Sequence, residues 1–383
     1  MIYLDNNATT RPADEAVEAA IVMMREQWQN PSSVHRPGQA ARQRIELARQ
    51  PVARLIGARP RDLTFTSGAT ESIHLAILGL LEVAGPRRGI VTTALEHEAV
   101  RGACDIARRR HDADVREVAV DAGGVIDADA LGEMLTDDVA VVSVHAINNE
   151  TGVVQDIARI GGLCRERGVV CHVDATQWIG KLPLDVSETP VDLMSFSAHK
   201  FHGVKGCGAL YARRGMRLSP RTSGSQERER RGGTENVPGI VAMGVAADHA
   251  SAWLADESNR AAQAALRDRF ESRVLAGAAG AVVNGDASHR VWNTTNIGFP
   301  RLEAEALLLL LSEKGVCASA GAACSSGSLD PSPVLLAMGV PDAIAHGSVR
   351  FSLSRETTES EVDEAAEIVI EAVARLGRGM PGA

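Results

Sequence analysis

The sequence predicts an α/β protein: a large doubly wound, mostly parallel sheet with a smaller α+β unit attached. Three observations carry this expectation. From about residue 60 to 215, short β-branched runs alternate with amphipathic stretches, the rhythm of strand–helix–strand units stacked into a parallel sheet. After about residue 239 the rhythm changes to a long Ala-rich helical stretch followed by isolated strands and helices. The chain is 383 residues long and 45% hydrophobic, enough for more than one core.

Two helical segments precede the alternating region. The first opens at Pro12, a favoured first helical residue because its missing N–H costs nothing there. It sets Ala16, Val17, Ala20, Ile21, Met24 and Trp28 on one side. LTFT (63–66), IVTT (90–93), VREVAV (115–120), AVVSVHAI (140–147), VVCHVDA (169–175) and VDLMSFS (191–197) read as strands, being rich in β-branched residues without a helical period. Segments near 70–83, 97–110, 127–135 and 155–168 supply the intervening helices. Further on, TTNIGF (294–299) and SVRFSLS (348–354) predict strands, and 303–313 and 358–377 predict helices. The expected division is a large domain over 14–252 and a small one from 1–13 and 253–383, the latter carrying a loop at about 318–332.

The net charge of −9 gives no overall basic footprint, which argues against nucleic acid as a direct ligand. Two local basic clusters, Arg108–Arg110 and the run ending at Arg231, read as solvated faces or local docking patches. The N-terminal MIYLDNNATT lacks the basic-then-apolar signature of a signal peptide, and no apolar run reaches the ~20 residues of a membrane span. A cytoplasmic protein is expected. Six cysteines, at 104, 164, 171, 207, 317 and 324, are scattered too widely for a disulfide framework in a reducing compartment. Their spacings also lack the short loops of zinc sites, so no metal centre is expected. Cys324 lies in AGAACSSGSLDPSP, small and polar surroundings that suit an exposed loop; an incidental surface thiol has the same signature.

Ligands of doubly wound sheets bind beyond the carboxyl ends of the strands. Candidate polar residues lie there: Thr70 after LTFT, His97 after IVTT, Asn149 after AVVSVHAI, Asp174 and Gln177 after VVCHV, and Lys200 after LMSFS. Lys200 lies 26 positions beyond Asp174, each just past a hydrophobic strand. That pair supplies what pyridoxal phosphate needs, an amine to condense with its aldehyde and a carboxylate for its ring nitrogen. Asp174 read alone caps the next helix equally well. Gln177 suits either a hydrogen bond to the cofactor's phenolate oxygen or the first turn of that helix. In TFTSGATES, Gly68 turns a strand into a helix starting near Ala69, and the free N–H groups there, with Thr70, would hold a phosphate; an ordinary capped turn looks the same. Ser197 and His199 flank the lysine and suit the same anion. His97 has a ring fit to stack on a pyridine and a side chain fit for proton transfer, or it is a structural residue at a strand end. Arg350, in HGSVRFSLSR, offers bidentate pairing to a substrate carboxylate, or a surface ion pair.

Together these segments resemble the NifS/IscS-type cysteine desulfurases, in the class V branch of fold-type I pyridoxal-phosphate enzymes. The likeness runs nearly end to end through YLDNNATT, NPSSVH, TFTSGATES, EHEAV, NNETGVVQDI, HVDATQWIGKLPLD, DLMSFSAHKFHG, GGTENVPGIV, the Cys324 loop and SVRFSLSRETT. The resemblance implies an aspartate-aminotransferase-like fold and conversion of L-cysteine to L-alanine, the sulfur passing to an enzyme cysteine as a persulfide and then to an acceptor protein. It makes Lys200 the cofactor-bearing lysine, Asp174 and Gln177 the partners of the ring nitrogen and phenolate oxygen, and His97 the stacking acid–base residue. It makes Thr70, Ser197 and His199 phosphate ligands, joined by Thr234 from the other subunit of a homodimer. Asn149 and Arg350 become carboxylate ligands, and Cys324 the nucleophile. The chain departs from the family pattern at Thr222–Glu227, at Val204 and in SAGAAC ending at Cys324. Acceptors of such sulfur serve iron–sulfur assembly, tRNA thiolation or DNA sulfur modification. Selenocysteine lyase, or a scaffold without catalysis, are the competing expectations.

Overall fold

The β-branched runs pair in the order their hydrophobicity calls for. In the computed structural model, which describes residues 1–321 and 330–378, the strands are β1 (Ile2–Tyr3), β2 (Leu63–Thr66), β3 (Gly89–Thr92), β4 (Asp114–Glu117), β5 (Val139–His145) and β6 (Val170–Asp174). Next come β7 (Leu193–Ser197), β8 (Gly208–Ala212), β9 (Val282–Val283), β10 (Thr294–Gly298), β11 (Val316–Cys317) and β12 (Ser348–Ser352). A seven-stranded sheet runs β2-β8-β7-β6-β5-β3-β4, parallel from β7 to β4 and antiparallel where β8 enters between β7 and β2. Every residue of β5 is buried, as helices on both faces require; Val142 and Val144 enter one core and Val141 the other. A second sheet, β12-β10-β9, and the parallel pair β1-β11 share a separate apolar core around Phe270, Phe299 and Phe351.

The helix Ala69–Leu81 is apolar nearly all round because it is packed between the sheet and the helix Glu98–His111. The helices Asp14–Glu26 and Arg36–Leu55 both pack on Val237–Leu254. Two sequence expectations need correction here. The first helix begins at Asp14, not Pro12, and buries Ala16, Ala20 and Met23, while Met24 and Trp28 are exposed. Alanines 13, 16 and 20 meet Ala242 of the Ala-rich helix, and that close small-residue contact sets the rotation of the first helix. The long Ala-rich stretch is two helices, Val237–Leu254 and Glu257–Gly277, because the Asp256 carboxylate accepts the Ser258 N–H at 2.9 Å and starts a new one. β8 was not foreseen. The five described cysteines 104, 164, 171, 207 and 317 are free. No helix among the described residues is long and apolar enough to cross a membrane.

One ion pair ties helix Arg36–Leu55 to the sheet edge. Arg49 meets Glu227 at 2.7 Å with both side chains almost fully buried, its guanidinium lies 4.5 Å over the Phe65 ring, and Glu227 also accepts the Phe65 N–H at 2.7 Å. The carboxylate therefore closes the edge of β2, and it does so from Glu227–Glu229, three consecutive residues with positive φ (46°, 58° and 65°). Removing one charge of such a pair strands the other in low dielectric. Glu227→Gln is therefore expected to lose about 3–5 kcal/mol of stability, measured as a lower denaturant midpoint with unchanged slope.

Candidate active site

A cavity of about 840 Å³ opens beyond the carboxyl ends of β5, β6 and β7, where a doubly wound sheet presents ligands. At one end, the helix Ala69–Leu81 begins at Gly68 without a side-chain cap, so the N–H groups of its first turn are left to the cavity. Thr66 and Ser72 share a hydroxyl contact of 2.8 Å, and Glu71 accepts the Ser67 N–H at 2.7 Å, which together hold the turn. Ser197, His199 and Lys205 face the same end. Burial, reinforced by the charges of Lys200 and Lys205, pushes His199 down to about 4, so its ring is neutral at pH 7; its Nδ1 lies 3.1 Å from Thr9 Oγ1.

At the centre, Lys200 ends the short 3₁₀ turn Ala198–Lys200 that follows β7, and its Nζ donates to the carbonyls of Asn7 at 2.6 Å and Ala8 at 2.9 Å. Asp174 ends β6 in register with His145 of β5 and Ser195 of β7. Its Oδ1 accepts the Thr176 N–H at 3.0 Å, but the helix expected after it is a turn, so Asp174 closes that turn rather than capping a helix, while standing in the cavity wall. His97 does cap a helix: its Nδ1 accepts the Ala99 N–H at 3.1 Å at the start of Glu98–His111. That cap fixes the tautomer, because in the neutral ring the proton must then sit on Nε2. Gln177 donates from Nε2 to the Asn7 carbonyl at 2.9 Å and accepts at Oε1 from Lys181 Nζ at 2.5 Å.

At the other end, Arg350 is buried on β12. It donates to the Asn149 carbonyl at 2.9 Å and the Gly321 carbonyl at 3.2 Å, and pairs with Asp5 at 2.7 Å. Its Nε is buried with no hydrogen-bond partner among the described residues. Glu150 is fully enclosed beside it; burial pushes its carboxyl up against the pull of Arg350, and it accepts the Ser332 hydroxyl at 2.5 Å.

Gly68, Ala69, Thr70, His97, Asn149, Asp174, Gln177, Ser197, His199, Lys200 and Arg350 all line this one cavity, although the chain spreads them over 283 positions, from 68 to 350. Thr234 is exposed and outside it. Cys324 lies outside the described residues. Sequence reasoning missed Asn7, Lys181, Glu150 and the pair Glu96–His145. Glu96 Oε1 lies 2.9 Å from His145 Nδ1, and although burial works against the charged ring, the Glu96 charge and hydrogen bond raise His145 above its ordinary value. The available signal was the runs DNNATT and NNETG, whose tandem Asn and acidic residues are too polar for the apolar strands beside them.

The pattern of the aminotransferase class-V family matches residues 2–365, which include the strand ends carrying Asp174 and Lys200. A cysteine desulfurase of Trichormus azollae is 45% identical over 98% of this chain and 94% of its own length. The cysteine desulfurase NifS of Azotobacter vinelandii is 44% identical over 99% of this chain and 94% of its own. A solved NifS-like protein superposes with a TM-score of 0.91 at 36% identity, covering 98% of this chain and 100% of that one. This chain belongs to the aminotransferase class-V family, and within it to the NifS-type cysteine desulfurases.

Beneath the cavity, His172 is fully buried between two hydroxyls, Ser143 Oγ at 2.8 Å from Nδ1 and Ser195 Oγ at 2.9 Å from Nε2, and burial pulls it from 6.5 down to about 4. The unfolded chain takes up this proton near pH 6.5 and the folded one only near pH 4, so in that window the unfolded state binds more protons. Stability is therefore expected to be complete above the unfolded value and to fall toward pH 4, by up to about 3 kcal/mol from this group. Chemical denaturation across pH should show a flatter profile for His172→Gln; an unchanged profile would refute the assignment.

Proposed function

We propose that this chain is a pyridoxal-phosphate-dependent cysteine desulfurase that converts L-cysteine to L-alanine and passes the sulfur, through a persulfide on Cys324, to an acceptor protein. The observation that carries the reading is the convergence of Lys200, Asp174 and the uncapped helix start at Gly68 on one cavity. The residues fit the cofactor: an amine, a carboxylate one strand away, and an open helix terminus for the phosphate. The turn at Gly68 lies directly against the sheet, since a Cβ on Gly208 would strike Gly68 Cα at 2.7 Å.

Bound there, pyridoxal phosphate supplies an electron sink for the pair left when an amino acid loses its α-proton. The chain's residues do the rest. Gly68–Thr70, Ser197 and His199 grip the phosphate, with neutral His199 able to donate a hydrogen bond. Asp174 keeps a proton on the ring nitrogen, and Gln177 donates to the phenolate oxygen. Arg350 and Asn149 hold the substrate carboxylate. Lys200 moves the α-proton, and His97, whose cap leaves its proton on Nε2, serves the substrate thiol. Cys324 thiolate bonds to the substrate sulfur as its bond to carbon breaks, and the carbon skeleton leaves as alanine.

The exposed Thr234 completes the phosphate site of a second copy in a homodimer. The same reading divides the chain into 14–252 and 1–13 with 253–383, and takes it as a cytoplasmic protein whose acceptor belongs to one of the three sulfur-using pathways above.

The test is L-alanine and reductant-released sulfide from cofactor-loaded protein given L-cysteine. Equal yields of the two are expected, with losses of at least about 1,000-fold in Lys200→Ala and Cys324→Ala; wild-type turnover by Cys324→Ala would sink the reading. Gly208→Ala forces the phosphate turn to move, so equilibrium dialysis should show pyridoxal phosphate held at least about tenfold more weakly.

A further inference from the structure

We propose that Lys181 is a positioning residue that fixes the carboxamide of Gln177, so that its NH₂ group and not its oxygen serves the cavity. The proposal rests on the reading above, in which Gln177 faces the cofactor's phenolate oxygen.

The chemistry is decided by what each group can do. Lys181 Nζ donates to Gln177 Oε1 at 2.5 Å and to Asn7 Oδ1 at 2.7 Å. Asn7 cannot turn the other way, because its Nδ2 already donates to the Asn149 carbonyl at 3.1 Å and to Thr294 Oγ1 at 2.9 Å. Gln177 Oε1 is thereby drawn to the lysine. One N–H of its Nε2 goes to the Asn7 carbonyl at 2.9 Å, which leaves the second for whatever fills the cavity Gln177 lines. A flipped amide would face both Lys181 and the Asn7 carbonyl with the wrong partners. Lys181 itself does not line the cavity, so it acts through Gln177.

The amine is fully buried, and burial, reinforced by the charges of Lys200 and Arg350, holds it well below the ordinary lysine range. An uncharged amine has two N–H groups, which matches its two acceptors. The composition agrees: of 40 lysines and arginines only four are lysines, at 181, 200, 205 and 314, and 200 and 205 line the cavity. Lys205 and Lys314 are exposed; at buried Lys181 a permanently charged fork would be costly.

The experiment is a double-mutant cycle read in the pH midpoint of the visible absorbance of pyridoxal-phosphate-loaded protein, with thermal melting of each variant as the check on folding. An N–H donated to the anionic ring oxygen weakens that oxygen's hold on the proton it shares, so losing the donor raises the midpoint. Gln177→Leu is expected to raise it by about one unit, Lys181→Met by a similar amount, and the double variant by no more than either. Lys181→Gln, which keeps a neutral donor, should hold the midpoint within about 0.3 units of wild type. An unmoved midpoint in Lys181→Met, additive shifts in the double variant, or a Lys181→Gln that shifts like Lys181→Met would each overturn the proposal while leaving the role of Gln177 intact. An unmoved midpoint in Gln177→Leu would overturn both.

Discussion

Asn7 hangs the N-terminal segment between the two sheets, and the centre of the cavity and its Arg350 end depend on it. Its Nδ2 donates to the Asn149 carbonyl and Thr294 Oγ1, and its Oδ1 accepts from Lys181 and Asn293. Its N–H goes to Ser352 Oγ, and its carbonyl accepts from both Gln177 and Lys200. Both amide hydrogens and both lone pairs of the side chain are used, so no other residue type satisfies the position. One residue thus joins the lysine turn after β7, the turn after β6, the loop after β5 and the strands β10 and β12. The residues that would bind ring and carboxylate stand at a fixed separation because the same amide touches the supports of each.

A site of this kind must also solve a charge problem. Lys181, Lys200 and Arg350 crowd a volume shielded from water, where each uncompensated cation is costly. The structure meets the cost differently for each. Arg350, which cannot lose its proton, takes Asp5 at 2.7 Å and two carbonyls. Lys181, which can, is driven toward its neutral form. Lys200 donates to the carbonyls of Asn7 and Ala8. The acids follow the same rule in reverse, and enclosed Glu150 is driven toward its protonated form. Burial thus acts on Lys181 and Glu150 in the same sense, toward the uncharged form, while Arg350 keeps its charge beside Asp5.

The parallel sheet was legible because strands buried on both faces must be β-branched runs, and the residues ending them in the sequence do line the cavity. Asp174, His97 and Lys200 were found by position alone, just past strand ends. What could not be read is what depends on partners far along the chain. Asn7 and Lys181 look like ordinary polar residues until Asn149, Gln177 and Thr294 are brought to them. Arg350 was readable as a carboxylate binder, but its pairing with Asp5, 345 positions away, was not. The structural reading of His97 as a helix cap holds and coexists with its place in the cavity wall, whereas Asp174 closes a turn where a helix was expected. The exposed Met24 and Trp28 show the opposite case, where helical period alone misjudged which face a contact between alanines would turn inward.

The unforeseen strand β8 explains how the end of the cavity proposed to take a phosphate can exist. The uncapped helix start follows β2, and Ser197 ends β7, yet β8 lies between those strands and separates them by about two strand spacings, some 9–10 Å. At the carboxyl ends of β2 and β7 the intervening residue is Gly208, paired with Thr66 on one side and Ser197 on the other. With no side chain there, Gly68 closes over the gap; a Cβ on Gly208 would strike Gly68 Cα at 2.7 Å and the Phe196 carbonyl at the same distance. A parallel strand in this place would bring its own turn and helix over the carboxyl end. The antiparallel one brings only its beginning, and a glycine at that beginning lets donors from two non-adjacent strands meet on one anion.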